Sequence, residues 1–197
     1  MRFYFLISFL LIISGFIFAQ IWVGVYDITG QVKTLTSILT VAIALSALHI
    51  WKRQESLRWV NDVEAAFYRL YADVCDDCHN LIMIEKYEKS SVQESQQRLR
   101  EYSRARLRSE RDRLQSYSDY KVKFLLAKKI LKRARGINLE EYPFIDPDSI
   151  RIEMYNLKKL TIRIYESDDD ALLRHDEKQR LWWSNYNTSI DSVRNEI

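Results

Sequence analysis

The chain has 197 residues, 47% of them apolar, and its 30 lysines and arginines nearly balance its 27 aspartates and glutamates. This balance excludes a highly charged disordered tail protein. Only 4 glycines and 2 prolines occur, which argues against β-sandwiches and against α/β folds with a glycine-rich phosphate loop. The composition therefore predicts an all-α protein.

Two uncharged segments near the N-terminus predict transmembrane helices. Residues 3–26 and residues 34–51 contain no charged side chain. A helix of about 20 apolar residues crosses the hydrocarbon core of a bilayer, and aromatic residues such as Trp22 and Trp51 suit the headgroup region at its ends. We therefore predict an all-α membrane protein, with a two-helix transmembrane hairpin in residues 1–51 and a long-helix cytoplasmic bundle in residues 52–197.

Cations after the second segment predict the orientation. Lys52 and Arg53 follow it directly, and an excess of lysine and arginine marks the cytoplasmic side of a membrane. Both termini are then cytoplasmic, at a bacterial inner membrane. The alternative for the first segment is a secretory signal peptide, with Arg2 at its start and a weak cleavage pattern ending at Ala19. That alternative leaves the orientation of residues 52–197 unchanged.

Small residues recur at helical spacing in both segments. Small side chains let membrane helices approach closely. They either pack the two helices of one hairpin together or build an oligomer of hairpins. The residues are Ser8, Gly15 and Ala19 in the first segment, and Thr36, Thr40, Ala44 and Ala47 in the second.

Long helices are predicted beyond the membrane, because no glycine or proline occurs between Gln31 and Arg135. A capping box at Ser91–Glu94 predicts the start of the second cytoplasmic helix, which ends near Gln115. The first of these helices has an apolar strip that must be buried against another helix. That strip is Leu57, Val60, Val63, Phe67, Leu70, Val74, Cys78 and Leu81.

A break at residues 116–118 is predicted to precede a third helix, residues 119–135, with Gly136 as its C-cap. Asp148 or Ser149 can cap the following segment, in which residues 150–166 fit a helix but also alternate like short strands. Ser167 is predicted to cap the last helix, whose first turn holds three aspartates, residues 168–170. The apolar face predicted for the third helix is Val122, Leu125, Leu126, Ile130 and Leu131.

Charge is unevenly distributed in the cytoplasmic part. Residues 52–136 hold 20 lysines and arginines against 13 acidic residues, whereas residues 137–197 hold 8 against 13. The basic helices either lie near acidic helices or anionic lipid headgroups, or they bind a phosphate-bearing partner such as a nucleic acid or nucleotide. The candidate contacts are Arg98, Arg100, Arg104, Arg106, Arg108, Arg111 and Arg113.

One motif carries potential chemistry. Residues 75–79, CDDCH, match the pattern for covalent haem attachment. Haem c is attached outside the cytoplasmic membrane, whereas the predicted topology puts this motif inside. A zinc site on Cys75, Cys78 and His79 lacks a convincing fourth ligand, since His175 is the one histidine left beyond the membrane. We therefore expect reduced core cysteines and neither a metal, a cofactor nor a catalytic residue; the acidic residues near His175 are better explained by helix capping.

The layout of a short hairpin, with residues 34–51 leading into Lys52 and Arg53 and then a catalytically silent helical domain, resembles the two-transmembrane effectors of bacterial anti-phage systems of the retron and nucleotide-signalling types. The resemblance implies an effector that a cytoplasmic protein or nucleoprotein partner holds inactive, and that perturbs the inner membrane when its hairpins associate. The alternative function is a membrane-anchored adaptor that recruits a cytoplasmic protein. A haem or metal protein using the CDDCH motif is a third.

Overall fold

The computed structural model describes residues 28–88, 93–163 and 171–197. These residues form four α-helices and two short 3-10 turns, with no strand among them. The prediction of an all-α protein is confirmed. The helices are α1, Ile28–Glu88; α2, Gln93–Arg135; α3, Pro147–Arg163; and α4, Ala171–Glu196, and the 3-10 turns are Leu139–Glu141 and Pro143–Ile145.

Two compact units divide the chain, Met1–Ile50 and Trp51–Ile197. In the described part of the chain, one helix near the N-terminus is long and apolar enough to cross a membrane, judged by its length and composition. The first segment of the predicted hairpin, residues 3–26 with Ser8, Gly15 and Ala19, lies outside the described residues. The hairpin therefore stays a prediction.

The core of the second unit is built on the apolar strip of α1. Seven of its eight predicted residues, from Val60 to Leu81, are buried, and Leu57 is half-buried. Phe67 lies at the centre, because its ring stacks on Tyr186 with centroids 3.4 Å apart and meets Trp182 edge-on at 5.5 Å. The buried residues that the other three helices contribute are Tyr120, Phe124, Ala127, Leu131, Ile150, Met154, Leu157, Trp182, Tyr186, Ile190 and Val193.

The predicted break at residues 116–118 is wrong, because α2 is continuous from Gln93 to Arg135. Two side chains at the expected break hold this part of the helix against its neighbours. The Ser116 hydroxyl donates to a carboxylate oxygen of Asp73 on α1, and the Tyr117 hydroxyl donates to the Pro147 carbonyl at 3.2 Å. Serine and tyrosine are only slightly less favourable in a helix than the best helix formers. The two contacts outweigh this small cost, so the helix continues through residues 116–118.

The predicted apolar face of the third helix is also largely wrong. Leu131 is buried and Ile130 is half-buried, but Val122, Leu125 and Leu126 are 44% to 52% exposed. The buried face is instead the row Tyr120, Phe124, Ala127 and Leu131. Both rows are apolar at helical spacing, and the row with two aromatic rings buries more surface.

The connection between α2 and α3 ends one helix and caps the next. Gly136 has a φ of +74° and donates its N–H to the Lys132 carbonyl at 3.1 Å, so its prediction as the C-cap is confirmed. Asp146, rather than Asp148 or Ser149, caps α3, because its carboxylate accepts from the N–H groups of both residues at 3.0 and 3.2 Å. Pro147 then occupies the first helical position, where a missing N–H costs nothing.

In the described part of this segment, residues 150–163, the alternation does not produce strands, since α3 is helical to Arg163. Residues 164–170, with the predicted cap Ser167 and the three aspartates, lie outside the described residues. So does Ser91 of the predicted capping box.

Candidate functional site

The apolar segment of α1 is largely exposed: Leu35, Leu39 and Ala42 are half-buried, and the other residues from Thr36 to Trp51 are exposed. None of the residues in its most apolar stretch is buried inside the protein. Such a surface is found on membrane-spanning helices and on interfaces, since soluble proteins expose only small apolar patches. The large exposed apolar residues are Ile38, Val41, Ile43, Leu45, Leu48, Ile50 and Trp51.

The four described residues of the small-residue stripe share this exposure. Thr36, Thr40, Ala44 and Ala47 are all exposed. The Thr40 hydroxyl donates to the Thr36 carbonyl at 2.8 Å, so its polar group is satisfied within the helix. This leaves a shallow surface of small side chains, of the kind against which a second membrane helix packs closely.

The seven candidate arginines do not form one site. The Arg113 side chain is only 15% exposed, and Arg106 is half-buried. Arg98 contacts Tyr87, whose hydroxyl accepts from the guanidinium at 3.2 Å and whose ring centroid lies 5.8 Å away. The other four, Arg100, Arg104, Arg108 and Arg111, are exposed on α2.

Arg113 belongs to a charge cluster that the sequence did not indicate. Its Nε lies 3.1 Å from Oδ2 of Asp77, which is 3% exposed. Lys158 of α3 lies 4.0 Å from the same Asp77 oxygen and 3.7 Å from Glu110, which is also paired with Arg113. The cluster joins α1, α2 and α3. One of the seven candidate arginines, Arg113, therefore has a buried partner within the protein. The sequence feature that could have indicated this cluster is the position of Asp77, which directly precedes Cys78 of the apolar strip.

The CDDCH motif contributes to a cavity of about 200 Å³ inside the second unit. The cavity also brings in His175 from α4, the histidine that the sequence left as the remaining candidate ligand. Its lining is Val74, Cys75, Cys78, His79, Ile82, Leu157, His175, Asp176 and Gln179.

Both cysteines are reduced in this cavity. Burial raises the pKa of Cys75 to about 11 and also raises the pKa of Cys78. The Gln179 side-chain amide donates to Cys75 Sγ at 2.8 Å. A thiol attacks or binds metal as the thiolate, so these two groups are held in their less reactive form.

His175 is 6% exposed, and among the described residues neither of its ring nitrogens has a hydrogen-bond partner. Nδ1 lies 3.5 Å from the Asp176 carboxylate. His79, in contrast, is exposed and its ring lies 6.5 Å from that of Tyr102. The described residues contain no group of three or more histidine, cysteine, aspartate or glutamate side chains that could hold a metal ion.

Comparison with protein families, with curated proteins and with solved structures finds no match for this chain.

Proposed function

We propose that the chain is a two-span inner-membrane protein with a non-enzymatic cytoplasmic helical interaction domain, and that it acts as a membrane-perturbing effector held in check by a partner. The observation that carries the proposal is the exposed apolar surface of α1 between residues 35 and 51. A bilayer is the solvent in which that surface is stable.

The stripe of small residues supports association as the mode of action. In lipid, helices associate through close packing rather than through the hydrophobic effect, and bulky side chains keep their backbones apart. Thr36, Thr40, Ala44 and Ala47 present such a surface on α1. Release by the partner then permits several copies to assemble through this stripe and to disturb the membrane.

The test compares two substitutions of small, exposed residues by leucine in the same helix. Ala44→Leu enlarges the stripe, whereas Ser46→Leu adds a leucine on nearly the opposite side of the helix from Ala44. Both variants keep the segment apolar, so both should insert. After induction in a bacterial host, membrane potential is followed with a voltage-sensitive dye.

We expect the wild type and Ser46→Leu to depolarise cells, and Ala44→Leu to do so much less. Equal depolarisation by all three contradicts association through the stripe. If the wild type leaves the potential intact even after its genomic neighbours are removed, the protein is better explained as a membrane-anchored adaptor.

A further inference from the structure

A continuous row of exposed side chains runs along α2 at steps of three or four residues, which is the spacing of one helix face. Cations and aliphatic residues are interleaved along it, and we call this row the basic face. The ten exposed residues of the basic face are Arg100, Arg104, Leu107, Arg111, Leu114, Ser118, Val122, Leu125, Lys129 and Arg133.

The aliphatic side chains of the basic face lie open to solvent. Leu107 is 69% exposed and Leu114 is 57% exposed. Val122 and Leu125, farther along the same row, are 52% and 49% exposed. Single exposed leucines are ordinary on a protein surface, but an aligned stripe of them indicates a surface that another molecule covers.

The five cations of the basic face need negative charge from outside the second unit. None of them makes an ion pair with another described residue, and the row itself contains no aspartate or glutamate. The acidic residues of this stretch of α2 lie on its other sides. Glu110 pairs with Arg113. Asp112 and Asp119 line a groove against Asp73 of α1.

The spacing within the basic face suits a second helix. Leu107 and Leu114 are seven residues apart, and an arginine precedes each of them by three residues. A seven-residue repeat of leucine lets one helix pack along another, and the charges beside it select the partner. We propose that the basic face of α2 binds an acidic amphipathic helix of the partner, with apolar side chains on the leucines and carboxylates on the arginines.

The length of the surface sets the length of this partner helix. The stretch from Leu107 to Leu125 extends over roughly 27 Å of helix axis, which a partner helix of about 20 residues would cover. Carboxylates pair with arginine in a bidentate geometry, so the four arginines of the row add specificity as well as charge.

Three other occupants match the basic face less well. α2 packs on α1 at Asp73 and Asp77, more than twenty residues along α1 from Trp51, so headgroups beside the predicted span are out of reach. The same row of a second copy would set cation against cation. Single-stranded nucleic acids are held by aromatic side chains. The aromatic residues of α2, all buried or half-buried, are Tyr102, Tyr117, Tyr120 and Phe124.

This inference rests on the proposed function for the role of the partner, which holds the effector in check. It assigns that hold to α2 and gives the partner a chemical class. The binding surface itself does not depend on the membrane helix, because all ten residues of the basic face belong to α2.

The experiment measures binding of labelled probes to the full chain in a nonionic detergent by fluorescence anisotropy. The acidic peptide has four heptads with leucine at positions a and d and glutamate at e and g. The basic peptide has lysine in place of each glutamate, and the serine peptide has serine in place of each leucine. A single-stranded oligonucleotide with the same label is the fourth probe.

We expect the acidic peptide to bind and the other three probes to bind at least tenfold more weakly. Leu107→Ser with Leu114→Ser keeps every charge and should weaken binding of the acidic peptide by roughly tenfold or more, because two buried leucines are lost. Leu173→Ser with Leu181→Ser is the matched control. These leucines of α4 are 68% and 51% exposed, and their loss should leave the binding unchanged.

A charge reversal tests the pairing of the arginines with carboxylates. Arg104→Glu with Arg111→Glu should weaken binding of the acidic peptide and strengthen binding of the basic peptide, each by roughly tenfold or more. A gain of binding for the basic peptide also shows that the variant is folded, since an unfolded chain offers no helix face.

Failure of the acidic peptide to bind overturns the inference, as does equal binding to the wild type and the Leu107→Ser, Leu114→Ser variant. Tighter binding of the oligonucleotide overturns it in favour of a nucleic acid. Cross-linking of Lys129 to Lys129 of a second copy, without peptide, overturns it in favour of self-association. A chain that binds the acidic peptide but never depolarises cells contradicts the proposed effector function alone, so the two failures are distinguishable.

Discussion

Arg113 Nε lies 3.1 Å from Asp77 Oδ2, and this contact joins α2 to α1 through two charges that are largely removed from water. Among the described residues neither the second carboxylate oxygen of Asp77 nor Arg113 Nε makes a hydrogen bond, so the contact is an ion pair and not a hydrogen bond. A buried carboxylate is expensive unless a cation stays beside it. The pair therefore contributes to holding α1 and α2 in register, together with the contacts of Ser116 with Asp73 and of Ser109 with Asn80.

Arg113→Met removes the cation and keeps an apolar side chain of similar length. We expect it to lower the free energy of unfolding by about 3 kcal/mol, the cost of leaving a buried charge with its more distant partner Lys158. Urea unfolding of the detergent-solubilised chain, followed by circular dichroism, measures this. Arg111→Met, at an exposed position two residues away, should change it by less than about 0.5 kcal/mol. Equal effects of the two substitutions would show that the pair contributes nothing.

The helical class and the buried strip of α1 were predictable from the sequence, because a strip at steps of three or four residues from Val60 to Leu81 has one interpretation. The side of α2 that faces the core was not. Tyr120, Phe124 and Leu131 form one apolar row and Val122 and Leu125 form another, and only the shape of the packed core decides between them.

The sequence grouped some of the residues that line the cavity, but it did not predict the cavity itself. The motif CDDCH indicated that Cys75, Cys78 and His79 lie on one turn of helix. That His175 comes to the same cavity from almost a hundred residues away depends on how α4 packs, which no local pattern encodes. The pairing of Asp77 with Arg113 is non-local in the same way.

The packing side of α2 is tested by a matched pair of leucines. Leu131→Ala removes a fully buried side chain and should lower the free energy of unfolding by about 2 to 5 kcal/mol. Leu125→Ala makes the same change where the side chain is 49% exposed, and should cost far less. Thermal and urea unfolding measure both. The reverse order would mean that the row predicted from sequence is the buried one.

The continuity of α2 is tested by a proline at Ser118. In a helix interior, proline removes a hydrogen bond and clashes with the preceding turn, so Ser118→Pro should cost about 3 kcal/mol. Ser118→Ala, the control, should be neutral or slightly stabilising. Equal free energies of unfolding for Ser118→Pro and Ser118→Ala would contradict the continuity of α2 at this position.

The buried thiols predict a pH dependence at the alkaline end. Because burial raises the pKa of Cys75 from 9.0 to about 11, the folded chain keeps a proton that the unfolded chain loses between those values. Stability from this group is complete below pH 9 and falls as pH rises toward 11. At pH 8, alkylation of Cys75 in the folded chain should be about a hundredfold slower than in the unfolded chain, since only the thiolate reacts.

Mass spectrometry after timed iodoacetamide treatment gives these rates. The variant Cys75→Ala should lose less stability than the wild type between pH 9 and pH 11, and it is the control for other titrating groups. Rapid alkylation of Cys75 in the folded chain at neutral pH would contradict the buried environment.

The central claim is that residues 34–51 cross the membrane as the second helix of a hairpin, and paired topology reporters test it most directly. Alkaline phosphatase is inserted at Gly30 in one chain and fused after Ile197 in another, and activity is measured in a bacterial host, where the enzyme works only outside the cytoplasm. We predict high activity at Gly30 and none after Ile197, because Lys52 and Arg53 hold the following residues inside. Strong activity after Ile197, or none at Gly30, would contradict the two-span account.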